Sequence, residues 1–445
     1  MITKQQFLTT FFDQLNEIGV DYFVYGEYRQ LPMDTGRSDI DMIVNGKDFD
    51  KTTALLLSLA QKGKVIIASK YANAHAHFYR CLSLDWGVQV DILRDGLHFK
   101  GVSYYPLAKL RKHVIRHNGI KVVNCEYGFF VDYFKEIVHK GKAKEKYRTA
   151  VMEALQNHEE ELDEEIKEIY GDEALQLIKS NFTMDGLNRI GISLQQIIHR
   201  NILKGRTITQ LQTKLVLAQR LFSKKPGYVI VVLGTDGSGK STIINAITPW
   251  LNQGFHHGVI YNHLRPNVIP DLGVVFGKKK AIGKGEVPMV CSDPHGQKPS
   301  GFVGSLIRWG YYLLDYTFGY MKSVWKTIHI HSKVFIFDRY YYDYYIDQRR
   351  SRISLPHWIL RLGECMVPTP DLILCLGGDP QKIYNRKPET SLKEVTRQIH
   401  VLQKFCQNHH KAVWIDTTTT TQESINATMK AIVKMMALRF KDTKL

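Results

Sequence analysis

The spacing of apolar positions predicts a mixed α/β segment over the first third of the chain. Apolar residues from 7 to 18 recur at helical intervals, and those from 52 to 60 predict a second helix. Alternating or short apolar runs predict strands, which we place at 22–25, 39–44, 64–68, 76–82 and 88–93. Short strands between helices are typical of a small α/β domain, and we expect it to occupy residues 1–125.

Helical periodicity dominates from about 126 to 220, and strand–helix alternation resumes after it. The charged run 159–165 is interpreted as a solvated helix face. The stretch 222–227, Phe-Ser-Lys-Lys-Pro-Gly, has the composition of a linker. The alternation beyond it predicts a parallel sheet wrapped by helices. We therefore expect a helical domain with its linker at 126–225 and a second α/β domain at 226–445.

Composition agrees with this division. A length of 445 residues suits two or three domains, and a hydrophobic content of 44% is sufficient for packed cores. No apolar run approaches about twenty residues and the first residues do not resemble a signal peptide, so we expect no membrane insertion. The six cysteines are scattered without a Cys-x-x-Cys pair, which is typical of reduced thiols in a cytoplasmic protein.

The positive charge is concentrated in the C-terminal half. The chain has a formal net charge of +17, and residues 225–445 contain 29 basic and 16 acidic residues, an excess of 13. Nucleic acid is one class of partner for such an excess. Phosphorylated small molecules are the simpler class, because ATP together with a second phosphate needs several cations.

A complete phosphate-binding loop follows the first apolar strand of that half. Residues 228–250 read YVIVVLGTDGSGKSTIINAITPW, with Gly-x-x-x-x-Gly-Lys-Ser between a predicted strand and a predicted helix. Backbone N–H groups of such a loop and the helix N-terminus bind phosphate oxygens. Lys240 would reach the β- and γ-phosphates of ATP, and Ser241 would hold Mg²⁺. The candidate nucleotide-binding residues are Gly234, Thr235, Asp236, Gly237, Ser238, Gly239, Lys240, Ser241 and Thr242.

Two later strands end in charged residues that suit phosphoryl transfer. The apolar strand at 334–338 ends in Asp338 and Arg339. A carboxylate there can hold Mg²⁺ through water, and the arginine can clamp a phosphate. The strand after Pro368-Thr-Pro-Asp leads to Arg386 and Lys387, two cations suited to a lid that closes over ATP.

Further arginines are expected where the edge of the sheet meets a substrate. Arg265 follows Tyr-Asn-His-Leu, and Arg349, Arg350 and Arg352 follow a tyrosine-rich run. For this second cluster, phosphate binding and a solvated patch explain the sequence equally well. The tyrosines at 340–345 are predicted to pack in the core and at its rim, because alternate tyrosines bury against a sheet.

These motifs together resemble the thymidylate kinase family. Its members carry a loop such as Gly-x-Asp-Gly-x-Gly-Lys-Ser, then an Arg-Pro segment, Asp-Arg-Tyr, and Pro-Asp-Leu before a lid. The match covers about 226–445 and implies a P-loop kinase fold that uses ATP and Mg²⁺. By this resemblance Asp236 would contact a hydroxyl of the acceptor, Arg265 and Arg339 would hold the acceptor phosphate, and Arg386 would act from the lid.

The chain departs from this family in two places that bear on the acceptor. The Ser-x-x-Ala-Tyr-Gln stretch with which such kinases line the base pocket is replaced by the tyrosine-rich run. An insertion at about 266–305 carries Cys291, His295 and Lys298. In these features the chain is similar to divergent thymidylate-kinase-like proteins of bacterial surface-polysaccharide gene sets. The resemblance therefore implies either a nucleoside monophosphate or a sugar or polyol intermediate as acceptor.

Three carboxylates of the first domain suggest a second site. Asp39 and Asp41 alternate along one predicted strand and so share a face, and Asp91 lies on another strand. Three such acids can hold two Mg²⁺ ions that bridge a nucleoside triphosphate and activate an attacking hydroxyl.

With Gly26 upstream and Arg37-Ser38 before the acids, residues 20–125 resemble the polymerase-β type of nucleotidyltransferase. This resemblance implies an N-terminal α/β nucleotidyltransferase-like domain. Glu27 departs from the pattern, since a small residue normally follows the glycine. A glutamate there would repel a triphosphate, so either the loop differs or the domain is not catalytic.

The leading hypothesis is an ATP- and Mg²⁺-dependent phosphotransferase with a small-molecule phosphate acceptor, fused to a nucleotidyltransferase-like domain. Nucleic acid is not expected as the main ligand, and a homodimer is left open. The alternative is a nucleic-acid-binding P-loop NTPase, a switch or a defence protein, for which the basic excess is the only support. A third hypothesis is a scaffold whose first domain only binds a nucleotide. Asp236, the Asp-Arg-Tyr segment and the lid cations favour the kinase.

Overall fold

The computed structural model describes residues 2–36, 38–270 and 300–440. The chain forms two compact units, which meet in sequence between Gln219 and Arg220. No described helix combines the length and the apolar content that a membrane span requires. Each unit is an α/β structure built around its own sheet.

The first unit contains nine strands and ten helices in its described part. The strands are β1 (Tyr22–Tyr25), β2 (Ile40–Val44), β3 (Ile66–Ala72), β4 (Ala76–Leu82), β5 (Gly87–Arg94), β6 (Gly96–Phe99), β7 (Val102–Pro106), β8 (Val114–His117) and β9 (Ile120–Val123). The helices are α1 (Lys4–Glu17), α2 (Phe49–Lys62), α3 (Leu107–Arg111), α4 (Cys125–Lys140), α5 (Glu145–Asn157), α6 (Glu159–Tyr170), α7 (Asp172–Ser180), α8 (Met184–Arg189), α9 (Gly191–Leu203) and α10 (Thr207–Phe222).

Seven of these strands form one mixed sheet in the order β3-β4-β5-β2-β1-β9-β8. Its register places Asp41 opposite both Tyr25 on β1 and Asp91 on β5. One face of the sheet packs against α1 and α2, while Phe23, Tyr25 and Ile43 face a second core formed with the later helices. The predicted strands and both early helices are confirmed, except that β3 begins later than predicted, after a turn with left-handed backbone at Lys64 (φ 56°).

The helical segment shares a core with the strands that precede it. Apolar residues of α4 to α9 pack with β1, β2, β6 and β7 in a single hydrophobic cluster. The position 125/126, expected as a domain boundary, is therefore the start of a helix that completes this core. Helix α4 begins at the cap Asn124, whose side chain accepts a hydrogen bond from the Tyr127 backbone, and it ends at Gly141 with left-handed backbone (φ 68°).

The acidic run on α6 is not solvated throughout, which corrects one expectation. Glu165 is only 5% exposed, and its carboxylate accepts hydrogen bonds from the hydroxyls of Tyr127 (2.6 and 2.7 Å) and Tyr105. Burial, together with this neighbouring acid, raises the pKa of both tyrosines above their usual range. Helical spacing turns the last acid of the run inward, while Glu164 beside it stays exposed.

The second unit has a five-stranded parallel sheet in the order β11-β12-β10-β13-β14, which confirms the predicted parallel sheet. The strands are β10 (Tyr228–Gly234), β11 (Val259–His263), β12 (Val334–Asp338), β13 (Leu372–Gly377) and β14 (Ala412–Asp416). The described α-helices are α11 (Lys240–Gly254), α12 (Phe302–Leu314), α13 (Lys326–Ile330), α14 (Asp343–Ile346), α15 (His357–Glu364), α16 (Pro380–Arg386), α17 (Leu392–Asn408) and α18 (Thr421–Arg439). Two π-helical segments, Asp315–Gly319 and Met321–Trp325, connect α12 to α13, and a 3₁₀ helix covers Arg349–Ser351.

The tyrosine-rich run packs in the core of this unit, as predicted. Tyr340, Tyr341, Tyr342 and Tyr344 are at most 2% exposed and lie in the cluster that covers β10, β12 and β13. Two of the buried hydroxyls donate hydrogen bonds to backbone carbonyl oxygens. Tyr340 donates to Pro368 (2.9 Å), and Tyr341 donates to Leu360 (2.7 Å).

We predict that Glu165→Ala destabilises the first unit by about 3 kcal/mol, because two buried tyrosine hydroxyls lose their acceptor. The measurement is the urea unfolding midpoint of the full-length protein. Glu164→Ala, at the exposed neighbouring position of the same helix, is the matched control and should change stability by less than about 0.5 kcal/mol. Equal effects of the two substitutions would contradict a specific role for the buried carboxylate.

Candidate functional site

The phosphate-binding loop connects β10 to α11, as its spacing predicts. All seven residues of β10 are buried, and the central strand delivers the loop to the carboxyl edge of the sheet. Gly237 and Gly239 have left-handed backbone (φ 81° and 83°), which favours glycine. A Cβ atom on Gly237 would lie 2.6 Å from the carbonyl oxygen of Ile383 on α16, so that helix packs directly against the loop.

Lys240 lies at the start of α11 with its ammonium group turned into the loop. Its Nζ donates to the carbonyl oxygens of Gly234 (3.0 Å) and Thr235 (2.9 Å). Burial, with a smaller contribution from the neighbouring Arg339, lowers the pKa of Lys240 from 10.5 to about 7. Ser241, the expected Mg²⁺ ligand, and Thr242 are exposed on the first turn of the helix.

Asp338 stands beside this loop at the end of β12. It pairs in register with Val232 on β10 and accepts a hydrogen bond from the Tyr261 hydroxyl (3.2 Å). Burial alone would raise its pKa, but the interaction with His263 (Nδ1 to Oδ2, 3.6 Å) and the charge of Lys240 hold the pKa of Asp338 below its usual value. Its Oδ1 atom is buried and has no hydrogen-bond partner among the described residues, which suits a further ligand.

Two arginines hold the loop aspartate. Arg339 Nη2 donates to Asp236 Oδ1 (2.7 Å), and Arg350 Nη2 donates to Asp236 Oδ2. Burial would raise the pKa of Asp236, but these two guanidinium groups keep it well below its usual range. Arg339 is 3% exposed, has left-handed backbone (φ 72°) and also pairs with Asp343 (3.2 Å). A buried arginine in a strained backbone conformation is typical of a functional position.

The other predicted substrate residues occupy different surroundings. Arg265 is 5% exposed and pairs with Asp315 (2.8 Å), whose carboxylate also accepts backbone hydrogen bonds from residues 267–269. Arg349 is exposed. Arg386 donates to the Thr417 carbonyl oxygen (2.7 Å) from the end of α16. Of these three, the described contacts place none on Asp236. Arg350 does reach Asp236, and Arg350 is itself paired with Asp347 (3.5 Å).

The three acids of the first unit converge. Carboxylate oxygens of Asp39, Asp41 and Asp91 lie within 4.8 Å of one another, which is a spacing suited to divalent cations. The parallel pairing of Asp41 with Asp91 across β2 and β5 produces this, because partners in register project to the same face. Burial, and the neighbouring carboxylates, raise the pKa of Asp41 and Asp91, so a bound cation would relieve an electrostatic cost.

Helix α4 adds two residues to this site that the sequence analysis missed. Lys135 Nζ donates to Asp41 Oδ2 (3.2 Å) and to the Tyr25 hydroxyl (2.8 Å). Asp132 is 7% exposed, and its Oδ2 lies 3.9 Å from where a Cβ atom on Gly26 would be. The available signal was a set of charged residues at 132, 135 and 136 within a largely apolar helical run.

A glycine turn lies beside the acids, and a Cβ atom on Gly26 would lie 4.0 Å from Asp41 Oδ2. Gly26 follows β1 with φ of 84°. The Glu27 carboxylate accepts a hydrogen bond from the Arg29 backbone (3.3 Å), and Ser38 donates to Asp39 (3.3 Å). Arg37 lies outside the described residues, as do Cys291, His295 and Lys298 of the predicted insertion.

Comparison with known proteins gives a distant structural likeness. No protein-family model matches the chain. No curated protein matches it either. Among solved structures the chain is similar to thymidylate kinase from Ehrlichia chaffeensis at 18% sequence identity, with a TM-score of 0.29. That similarity covers 46% of this chain and 96% of the other.

We predict that nucleotide binding takes up close to one proton per site at about pH 8.5, because phosphate favours the charged form of Lys240. The measurement is calorimetric titration with Mg-ADP in buffers of different ionisation enthalpy. Lys240→Met should remove the uptake, and uptake that persists in this variant would contradict the assignment. Between about pH 7 and 10.5 the unfolded chain holds this proton and the folded one does not, so the lysine's contribution to stability rises with pH across that window.

Proposed function

We propose that the second unit is an ATP- and Mg²⁺-dependent phosphotransferase. The observation that carries the proposal is the parallel pairing of β10 with β12, which sets Asp338 and Arg339 beside the phosphate-binding loop. A loop for phosphates, a carboxylate on the adjacent strand and a buried arginine are the parts that phosphoryl transfer needs. A nucleic-acid switch would require the loop and the carboxylate but has no need of an arginine pair held on Asp236.

Each residue has a chemical role in this proposal. Lys240 exchanges its two carbonyl contacts for oxygens of the transferring phosphate and regains full charge there. Backbone N–H groups of the loop and the start of α11 orient the triphosphate. Ser241 and Asp338 would hold Mg²⁺, which neutralises phosphate charge when bound. The exposed hydroxyl of Ser241 and the unpartnered oxygen of Asp338 fit that ligand.

In this proposal the acceptor binds to Asp236 and to the two arginines that contact it, Arg339 and Arg350. Because two arginines keep this carboxylate ionised, it serves as a hydrogen-bond acceptor for a substrate hydroxyl and not as a general base. An acceptor that carries a phosphate would compete with Asp236 for Arg339 and Arg350. A nucleoside monophosphate and a phosphorylated sugar or polyol both satisfy this requirement.

We further propose that the first unit transfers a nucleotidyl group. Asp39, Asp41 and Asp91 supply the carboxylate set for divalent cations, and the turn at Gly26 supplies backbone donors beside it. Lys135 compensates the acids by its contact with Asp41, and a cation arriving at Asp41 would compete with that contact. The Glu27 carboxylate accepts a hydrogen bond from the Arg29 backbone and lies 4.0 Å from the Arg29 guanidinium, whose positive charge offsets part of the repulsion that a glutamate would exert on a triphosphate.

We predict that Lys240→Ala lowers phosphotransfer by at least about a thousandfold, because a charge-assisted contact to the transferring phosphate is lost. The assay uses labelled ATP with nucleotides, sugars and glycerol derivatives as acceptors, and products are identified by mass spectrometry. Lys430→Ala, at an exposed position on α18, is the matched control and should keep full activity. Near-normal turnover of Lys240→Ala, from a preparation free of host kinases, would refute the kinase.

We predict that Asp39→Asn combined with Asp41→Asn lowers the rate of nucleotidyl transfer by about a hundredfold or more. The double substitution should leave kinase turnover unchanged. Release of pyrophosphate from labelled nucleoside triphosphate is the measurement. Asp13→Asn, at an exposed position on α1, is the control. If nucleotidyl transfer survives the double substitution, or if the unmodified protein shows no nucleotidyl transfer, the first unit has only a binding or structural role.

A further inference from the structure

The face of the first sheet that carries the acids continues across β5, β4 and β3. In register, Asp91 lies opposite Phe78, and Phe78 lies opposite Tyr71, so these three side chains project to one side. The rings of Tyr71 and Phe78 stack at 5.3 Å with an interplanar angle of 16°. Both side chains are half-buried, which leaves part of this aromatic pair open next to the acids.

A second row of partners runs parallel to the first and contains an unusual arginine. Gln89 on β5 lies opposite Arg80 on β4, and Arg80 lies opposite Ser69 on β3. The Nε and Nη1 atoms of Arg80 are buried and have no hydrogen-bond partner among the described residues. The hydroxyl of Ser69, which is fully buried, has none either. Buried donors without partners are costly, so a ligand that accepts hydrogen bonds from them would relieve that cost.

The acids do not satisfy this arginine. Both oxygens of Asp91 accept from the Gln89 amide (3.0 Å each), and the same amide reaches Asp39 Oδ2 (3.4 Å). Gln89 therefore takes these direct hydrogen bonds, while the charges of Asp91 and Asp39 also act on Arg80. The Nε and Nη1 groups of Arg80 keep their hydrogen-bonding capacity for another anion.

The order of the strands indicates the side of the acids on which that anion would lie. Gly26 ends β1, the acids Asp41 and Asp91 lie on β2 and β5, and Arg80 is on β4. The triphosphate of the proposed reaction belongs at the turn of Gly26. In an in-line displacement the attacking oxygen approaches opposite the leaving group, so the acceptor belongs on the far side of Asp91, where Arg80 lies.

We propose that Arg80, with Ser69, binds a phosphate or carboxylate group of the acceptor whose hydroxyl receives the nucleotidyl group. The proposal rests on the nucleotidyl transfer proposed above. In that step the acceptor oxygen forms a bond to the α-phosphorus of a nucleoside triphosphate, and the bond from that phosphorus to the oxygen bridging to the β-phosphate breaks. Pyrophosphate leaves with the bonding electron pair, and the hydroxyl proton passes to a carboxylate of the site and then to water.

The test measures binding and does not depend on turnover. Full-length protein carrying Lys240→Ala, which weakens the phosphate-binding loop of the second unit, is titrated by calorimetry in the presence of Mg²⁺. The probes are glycerol 3-phosphate, glycerate and glycerol, so that phosphate, carboxylate and neutral ligands are compared. Arg80→Met should weaken one or both anionic probes by about tenfold to a hundredfold, and glycerol should not bind.

Arg94→Met is the matched control, because Arg94 lies on the neighbouring strand but contacts Phe49 and Asp50 on the other face of the sheet. It should leave the affinity for both anionic probes unchanged. If neither anionic probe binds, or if Arg80→Met binds them as tightly as its parent, the proposal is overturned and Arg80 is only a counter-charge for the acids. Should Arg80→Met fail to fold, Arg80→Lys and Ser69→Ala take its place, and unchanged affinity in both would overturn the proposal.

The double variant Asp39→Asn, Asp41→Asn separates this proposal from the reaction on which it rests. It should still bind the anionic probe, because Arg80 and Ser69 are unchanged in it. Binding that depends on Arg80 in a protein that never releases pyrophosphate would reject the transferase and retain the anion site. Pyrophosphate release without any Arg80-dependent binding would retain the transferase and reject the anion site.

Discussion

Both sites of this protein bury charged groups, and each charge must be compensated inside its own site. In the second unit Asp236 lies between two guanidinium groups, and Lys240 uses the carbonyl oxygens of its own loop. In the first unit Lys135 offsets part of the charge of three converging acids. Burying a charge without a partner costs several kcal/mol, so these internal contacts allow both sites to exist before a ligand arrives.

The same compensation determines what a ligand has to do. A phosphate that entered the loop would replace two neutral carbonyl contacts of Lys240 by charged ones, and its binding would then be linked to protonation of the lysine. A cation that enters the acidic site competes with Lys135 for Asp41 and relieves the repulsion among the carboxylates. Two buried donors of Arg80, Nε and Nη1, have no hydrogen-bond partner among the described residues, and an anion could accept from them.

Much of the fold follows from short-range patterns. The glycine spacing of the phosphate-binding loop, the apolar strands on both sides of it and the strand–helix alternation predicted the parallel sheet of the second unit. The helical segment was predicted to be helical, but the core against which it packs was not predicted. Periodicity shows that a helix has an apolar face and does not say which core covers that face, and here it is the core shared with the strands before it.

The sequence by itself determined the chemistry that is local in the chain: the phosphate-binding loop with Lys240, the strand that ends in Asp338 and Arg339, and the alternation that puts Asp39 and Asp41 on one face. Tertiary structure alone decided the pairs that join distant segments, among them Asp236 with Arg350, Asp41 with Lys135, and Glu165 with Tyr127. The physical reason is that strand register and helix packing select these partners, and both depend on contacts between residues dozens of positions apart.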